Sequence, residues 1–236
     1  MRFSAVLFDM DGVVCDNMPL HRAVWKEFAT VRGLSLSDAE WRRLDGRRAS
    51  DIIDTLFPEA PGQMRLELAE AREALYRQRL ESAVLHPVPG IHAFLAWLSE
   101  RGVRCVIATS ATPENVEQVL GRLNLRTAFA GQVTSHDVRR GKPDPEVYLK
   151  AAAKAGFPAS SCLVVEDAIQ GVQAARAAGA ACLGVSTSVA PDGLQEAGAA
   201  WVVPDFENLL SAGWPDGAAL EALFVAHTLH RVDAGT

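Results

Sequence analysis

Ala5-Val6-Leu7-Phe8-Asp9-Met10-Asp11-Gly12 is the stretch on which the fold turns. Four consecutive apolar residues read as a strand buried on both faces, as in a parallel sheet. The strand ends on a carboxylate. A second follows two residues later, and then a glycine that lets the backbone turn tightly around whatever sits there. Two acids held so close repel each other, so the turn calls for a cation, a shared proton or both. An Asp-rich surface turn and a calcium loop are the competing readings. The calcium loop fits poorly, because its glycine belongs after a third ligand position and a glutamate should close it.

Downstream of this turn the pattern changes. From Pro19 to about Leu80 only helical spacing is present. Leu20, Val24, Phe28 and Val31 share one helical face, with Pro19 near the start and Gly33 at the stop. Gly46 interrupts a second helical stretch, and Ser50 is the expected cap of a short helix through Ile52, Ile53 and Leu56. A long helix from about Gln63 has Met64, Leu68, Ala71 and Leu75 as its expected apolar stripe. Arg65, Arg72 and Arg79 recur every seven residues, a line that reads as a solvated face before it reads as an anion site.

His86-Pro87-Val88-Pro89-Gly90 cannot continue a helix and reads as a hinge. Beyond it strands and helices alternate in the βαβ manner. The expected strands are Val103–Ala108, Phe129–Thr134, Cys162–Glu166, Ala181–Val185 and Trp201–Val203. One strand therefore opens the sheet, a helical block interrupts it, and the sheet resumes. An insertion after a strand's C-terminal end sits over the ligand edge of an α/β sheet. Residues after about Gly213 give a weak helical pattern to which no role is assigned.

With 236 residues a sizeable core is possible. A net charge of −6 argues against a nucleic-acid surface. No run approaches the ~18 apolar residues of a membrane span, and no signal-peptide pattern opens the chain. Cys15, Cys105, Cys162 and Cys182 lack CxxC spacing and read as buried thiols. A cytoplasmic monomer is expected, with no nucleic-acid or membrane partner.

Three further segments carry polar groups suited to one chemistry. In Thr109-Ser110-Ala111-Thr112-Pro113, Thr112 reads as a helix cap and Pro113 as the opening helical residue. The Ser110 hydroxyl and nearby N–H groups then lie at a helix N-terminus, a natural phosphate cradle. Lys142 sits in the proline-bounded turn Gly141-Lys142-Pro143-Asp144-Pro145, where a plain surface lysine is the rival reading. Val164-Val165-Glu166-Asp167 is a strand ending in adjacent acids. These cap the next helix or, with Asp9 and Asp11, form an oxygen-rich cluster suited to Mg²⁺.

Taken in order, Asp9-Met10-Asp11-Gly12, the Ser110 loop, Lys142-Pro143 and Glu166-Asp167 resemble the haloacid dehalogenase superfamily, across roughly residues 6–204. Asn17-Met18-Pro19-Leu20-His21 and Glu166-Asp167-Ala168-Ile169-Gln170-Gly171 resemble its β-phosphoglucomutase and sugar-phosphatase branch. The resemblance implies an α/β fold: a Rossmann-like three-layer αβα core with a parallel sheet (residues 1–16 and 86–236) and an inserted all-α helical cap (17–85). It implies Asp9 as nucleophile and Asp11 as general acid and base. Ser110, the backbone near Ala111 and Lys142 would hold the phosphoryl group. Asp9, the Asp11 carbonyl and Asp167, helped by Glu166, would hold Mg²⁺. A small phosphorylated metabolite is the partner the resemblance implies. A raised Asp11 pKa is expected with substrate bound, because a pocket so rich in negative charge favours a retained proton.

In the cap, His21, the Gly46-Arg47-Arg48 loop and Arg72 resemble positions that contact substrate in that branch. Two departures stand out. Ala49 replaces an arginine typical of the mutases, and Thr112-Pro113-Glu114 replaces a Ser-Lys/Arg-Asn stretch that anchors a second phosphate. The expected function is a Mg²⁺-dependent phosphatase of small sugar or polyol phosphates, acting through an aspartyl-phosphate. A β-phosphoglucomutase-like hexose-phosphate mutase is the alternative, and a non-enzymatic phospho-aspartate switch a remote one.

Overall fold

The structure, a computed structural model, describes residues 3–213 and Phe224; the weak helical pattern after Gly213 lies almost wholly outside the described residues. Six parallel strands form one sheet in the order β3-β2-β1-β4-β5-β6. They are β1 (Ala5–Phe8), β2 (Arg104–Ala108), β3 (Gly131–Val133), β4 (Cys162–Glu166), β5 (Ala181–Val185) and β6 (Trp201–Val203). This is the doubly wound order whose ligand crevice opens where the winding reverses, beside β1. Ala5 pairs with Arg104 on one side and Cys162 on the other, so β1 is central.

The period of two along each strand builds two cores. Val6, Phe8, Cys105, Ile107, Leu163 and Val165 pack on one face against α5 (Ile91–Glu100), α6 (Pro113–Arg122) and α10 (Phe206–Ala212). Ala5, Leu7, Val106, Ala108, Val164 and Cys182 pack on the other against α7 (Glu146–Ala155), α8 (Ile169–Ala177) and α9 (Pro191–Ala197). All of β1 is buried, as its unbroken apolar run requires. The four cysteines are buried free thiols. Among the described residues no helix is long and apolar enough to cross a membrane.

Between β1 and α5 the chain forms four helices, α1 (Met18–Thr30), α2 (Asp38–Arg42), α3 (Ala49–Leu56) and α4 (Gly62–Ser82). They gather an apolar cluster of their own around Trp25, Phe28, Trp41 and Ile53. The chain enters and leaves this block along two adjacent segments. Asp16 N–H donates to the His86 carbonyl at 2.9 Å, and Val88 N–H to that of Val14 at 3.1 Å.

Several local expectations are corrected. β3 is three residues long because a 3₁₀ turn occupies Arg126–Ala128 just before it. α1 stops at Thr30, which leaves Val31 79% exposed instead of on the buried face. Arg48, not Ser50, precedes α3, and that end has no side-chain cap. In α4 the buried residues are Arg72, Tyr76 and Leu80, whereas Met64 is 51% exposed and Ala71 exposed too. Leu68 and Leu75, the other two residues of the expected stripe, do pack against the Trp25 cluster, and Arg65 pairs with Asp54 of α3. The C-terminal half of α4 meets the core, where Tyr76 and Leu80 join the cluster beneath the sheet's edge.

Candidate active site

Asp9 follows β1 directly, and its N–H donates to the Val165 carbonyl of β4 at 3.0 Å. That bond brings the ends of β1 and β4 side by side, with Asp9, Glu166 and Asp167 all buried. One oxygen from each lies within 4.8 Å of the others. Two glycines make the room. Gly12 has φ +80°, and a Cβ there would lie 1.9 Å from Asp167 Oδ2; at Gly171 a Cβ would lie 1.7 Å from Glu166 Oε1.

Lys142 reaches into this cluster from the loop before α7 and is itself buried, so the surface reading fails. Its Nζ lies 3.0 Å from Asp9 Oδ1 and 2.5 Å from Glu166 Oε1. Glu166 is saturated with donors. Oε1 also accepts the Tyr148 hydroxyl at 2.7 Å, and Oε2 accepts the N–H groups of Asp167 and Ala168 at 2.9 and 3.0 Å. Burial opposes charging Lys142, but Asp9 and Glu166 outweigh it and hold the ammonium above its usual range.

Burial pushes Asp9 up to about 7; Lys142 works against the rise, while Glu166 and Asp11 add to it. Asp167 is held well above the usual carboxylate range, first by burial and then by Glu166 and Asp9. Asp9 Oδ1, ion-paired but outside hydrogen-bond geometry, and Asp167 Oδ2 are both buried without a hydrogen bond. Buried carboxylates crowded together with a single ammonium between them fit a hard dication. Asp9 and Asp167 are the acids free to hold one, since both oxygens of Glu166 are engaged.

The Asp11 carboxylate faces the helical block instead. Asn17 Nδ2 donates to its Oδ1 at 2.6 Å, and His21 Nε2 lies 3.4 Å from Oδ2, long for a hydrogen bond. Burial alone would raise the Asp11 pKa, but His21, Asn17 and Arg72 together hold it below the usual range. In this arrangement these three favour the charged form of Asp11, whereas the retained proton expected from the sequence belongs to the substrate-bound site. His21 lies stacked on Tyr76, ring centroids 4.0 Å apart. Arg72 Nη2 lies 2.9 Å from His21 Nδ1. A guanidinium only donates, so Nδ1 accepts and the imidazole proton sits on Nε2, facing Asp11.

Ser110 and Ala111 follow β2 at the same edge of the sheet, where Thr112 caps α6 by accepting from Asn115 N–H. Ser110 Oγ donates to the Gly46 carbonyl at 2.8 Å, and Ala111 N–H donates to Thr109 Oγ1 at 3.1 Å. An anion entering here would take over both donors. Gly46, Arg47, His21 and Arg72 line the cavity with Asp9, Asp11 and Asp167. Arg48 does not. It pairs with Asp51 and donates to the Val138 carbonyl at 3.1 Å, tying α3 to the loop that carries Lys142. Arg72, read as a solvated position from its spacing with Arg65 and Arg79, is 2% exposed.

Sequence reasoning missed Asn17, Tyr148, Glu73 and Asn115. Glu73 Oε2 accepts Asn115 Nδ2 at 2.5 Å, from α4 across to α6. Asn17 lay within the quoted Asn17–His21 motif, and its place between two acids' reach was a usable signal. The other three carry no mark in one sequence, because their partners are distant in the chain.

A model of the haloacid dehalogenase-like hydrolase family matches residues 3–179. The fructose-1-phosphate phosphatase YqaB of Escherichia coli is 32% identical over 182 residues, covering 75% of this chain and 94% of that protein. The β-phosphoglucomutase of Bacillus subtilis is 28% identical over 188 residues, covering 77% and 82%. The crystal structure of a HAD hydrolase, family IA, variant 3, from Entamoeba histolytica is 31% identical with a TM-score of 0.78, covering 88% of this chain and 95% of that one. With its strand-end acids, buried lysine and serine at one edge of such a sheet, this chain belongs to the haloacid dehalogenase-like hydrolases and is an enzyme acting on phosphate esters.

Proposed function

We propose that the enzyme is a Mg²⁺-dependent phosphatase of small sugar or polyol phosphates. The observation that carries this reading is the pairing of two carboxylates, two residues apart, in opposite environments: Asp9 beside Lys142, and Asp11 beside Asn17 and His21. Two acids kept apart in this way can divide the labour of a displacement at phosphorus. Asp9, ionised, attacks phosphorus and forms an aspartyl-phosphate while the ester oxygen departs. Asp11 delivers the proton to that oxygen, which requires it to turn from Asn17 and His21 toward the ester. Having given up that proton Asp11 is a carboxylate, and it takes one back from the attacking water, which restores it for the next cycle.

Lys142 offsets charge on Asp9 and on the phosphoryl group, and Glu166 keeps it there. Ser110 Oγ and the Ala111 N–H cradle the phosphoryl oxygens. Asp9, Asp167 and the Asp11 carbonyl are the groups that would hold Mg²⁺, which supplies charge neutralisation at the phosphoryl oxygens. The helical block, residues 17–85, acts as a cap that shuts water out. Release to water is favoured over a mutase cycle because Thr112-Pro113-Glu114 is committed to starting α6 and brings no cation for a second phosphate.

The test is phosphate release across a panel of sugar and polyol monophosphates with Mg²⁺, beside isomerisation of β-glucose 1-phosphate with a bisphosphate activator. Phosphate release without isomerisation is expected. Activator-dependent isomerisation as the dominant reaction would replace this reading with the mutase.

A further inference from the structure

On the cap side of the cavity two of the three lining arginines are already held by carboxylates. Arg22 donates to Asp45 Oδ2 through Nε at 3.2 Å and Nη2 at 2.6 Å. Arg72 gives Nη1 to Glu73 Oε1 at 2.8 Å and Nη2 to His21, while its buried Nε has no hydrogen bond. All of these residues line the cavity. Arg47 is the remaining one. Among the described residues its guanidinium makes only long hydrogen bonds, to Thr55 Oγ1 at 3.4 Å and the Asp51 carbonyl at 3.5 Å. Both partners belong to α3, so Arg47 is held along that helix.

The approach to the site has the same sign. A cleft between cap and core shares Glu73 and Ser110 with the cavity, and Glu67, Glu70 and Glu73, spaced three apart on α4, line it. Glu114 lines it from the core side; its basic groups are Arg77, His136 and Arg48, the last already paired with Asp51.

We infer that Glu73, by occupying Arg72, sets the substrate class: monoesters whose non-phosphate half bears hydroxyls and no negative charge. This deepens the phosphatase reading and rests on it. A second phosphate or a carboxylate would meet an arginine already neutralised, with Glu73 and Asp45 facing it, a like-charge arrangement that rejects the wrong ligand. A hydroxyl, by contrast, can accept from Arg72 Nε and donate to a carboxylate lone pair.

Two matched pairs test this: fructose 1-phosphate against fructose 1,6-bisphosphate, and glycerol 1-phosphate against 3-phosphoglycerate. Each is measured as kcat/KM for phosphate release and as calorimetric binding to the Asp9→Asn protein with Mg²⁺. In both pairs the acidic member is expected to be at least about 30-fold poorer, as a repelled charge at a partly buried site requires. Glu73→Gln should bring the gap below about 5-fold, chiefly through KM. Equal treatment of a pair by the wild-type protein overturns the inference, and so does a gap unchanged by Glu73→Gln. The wild-type comparison decides the exclusion even if that variant fails to fold. Absence of phosphate release from every ester would sink the phosphatase reading alone, since binding to Asp9→Asn still measures the discrimination.

Discussion

Asp11 and His21 belong to different layers of the molecule, yet His21 Nε2 lies 3.4 Å from Asp11 Oδ2 because Arg72 fixes the opposite nitrogen of the ring. The core's acid is thus wired to the cap through an imidazole whose proton faces it. The partners that hold the Asp11 pKa low, His21, Asn17 and Arg72, all come from the helical block.

His21→Ala should therefore raise the Asp11 pKa, since burial then acts with less opposition. The alkaline limb of the kcat/KM profile, where Asp11 loses the proton it must deliver, is expected to move to higher pH, with kcat/KM lower by about 10- to 100-fold. A limb that stays in place would show that Asp11 is not the group reporting there.

Asp9→Asn should abolish phosphate release while the protein remains folded, because the amide keeps the shape and removes a buried charge at the cost of one partner of Lys142. Excess EDTA should stop the wild-type reaction, and Mg²⁺ should raise its Tm in a concentration-dependent way. Near-native turnover in either experiment would remove the corresponding role.

Tyr148 lies outside the cavity, but its hydroxyl is one of four donors on Glu166. Tyr148→Phe should lower stability by about 1–3 kcal/mol in urea denaturation, the usual worth of a hydrogen bond to a buried charge. Activity should fall with it, since Glu166 positions Lys142. A variant as stable as wild type would mean that the other three donors suffice.

Gly171→Ala would drive a methyl into Glu166 Oε1, and Gly12→Ala adds a strained backbone to a clash with Asp167 Oδ2. Both should cost activity by more than about 100-fold, and Gly12→Ala should be the less stable of the two. Thermal unfolding alongside the phosphate assay separates the effects. Wild-type rates in Gly171→Ala would mean that Glu166 can move without consequence.

Glu146 clamps the loop before Lys142, accepting the N–H groups of Arg139 and Arg140 and pairing with Lys150. Lys150 is the largest cause holding its pKa down to about 2, below the ordinary 4.5. A depressed carboxylate pKa stabilises the fold above the unfolded value, so its contribution is complete above about 4.5 and is lost as pH falls toward 2. An NMR titration of Glu146 should show that low midpoint, and Glu146→Gln should loosen the Arg139 and Arg140 amides in hydrogen exchange. A midpoint near 4.5 would show that the clamp does not form in solution.

The parts of the site nearest the strand ends were legible in sequence. Asp9, Lys142 and Asp167 could be read because a buried apolar strand that stops on an acid, or a lysine boxed by prolines, has few uses. The cap was harder. Arg48 and Arg72 carry the same charge, and nothing local says that one ties α3 to the core while the other is buried against His21. The apolar stripe of α4 was half right for a related reason: Leu68 and Leu75 pack inward, but the fully buried positions are set by where Tyr76 meets the core.

By itself, then, the sequence determined the parallel sheet, the helical insertion after β1 and the order of the acids, because period-two burial, glycine turns and helix stops are local properties of the chain. Only the tertiary structure decided which way Asp11 faces, which arginines are already neutralised and where Glu73 stands. Those depend on which side chains from remote segments meet in a place that excludes water, where each charge must find its partner.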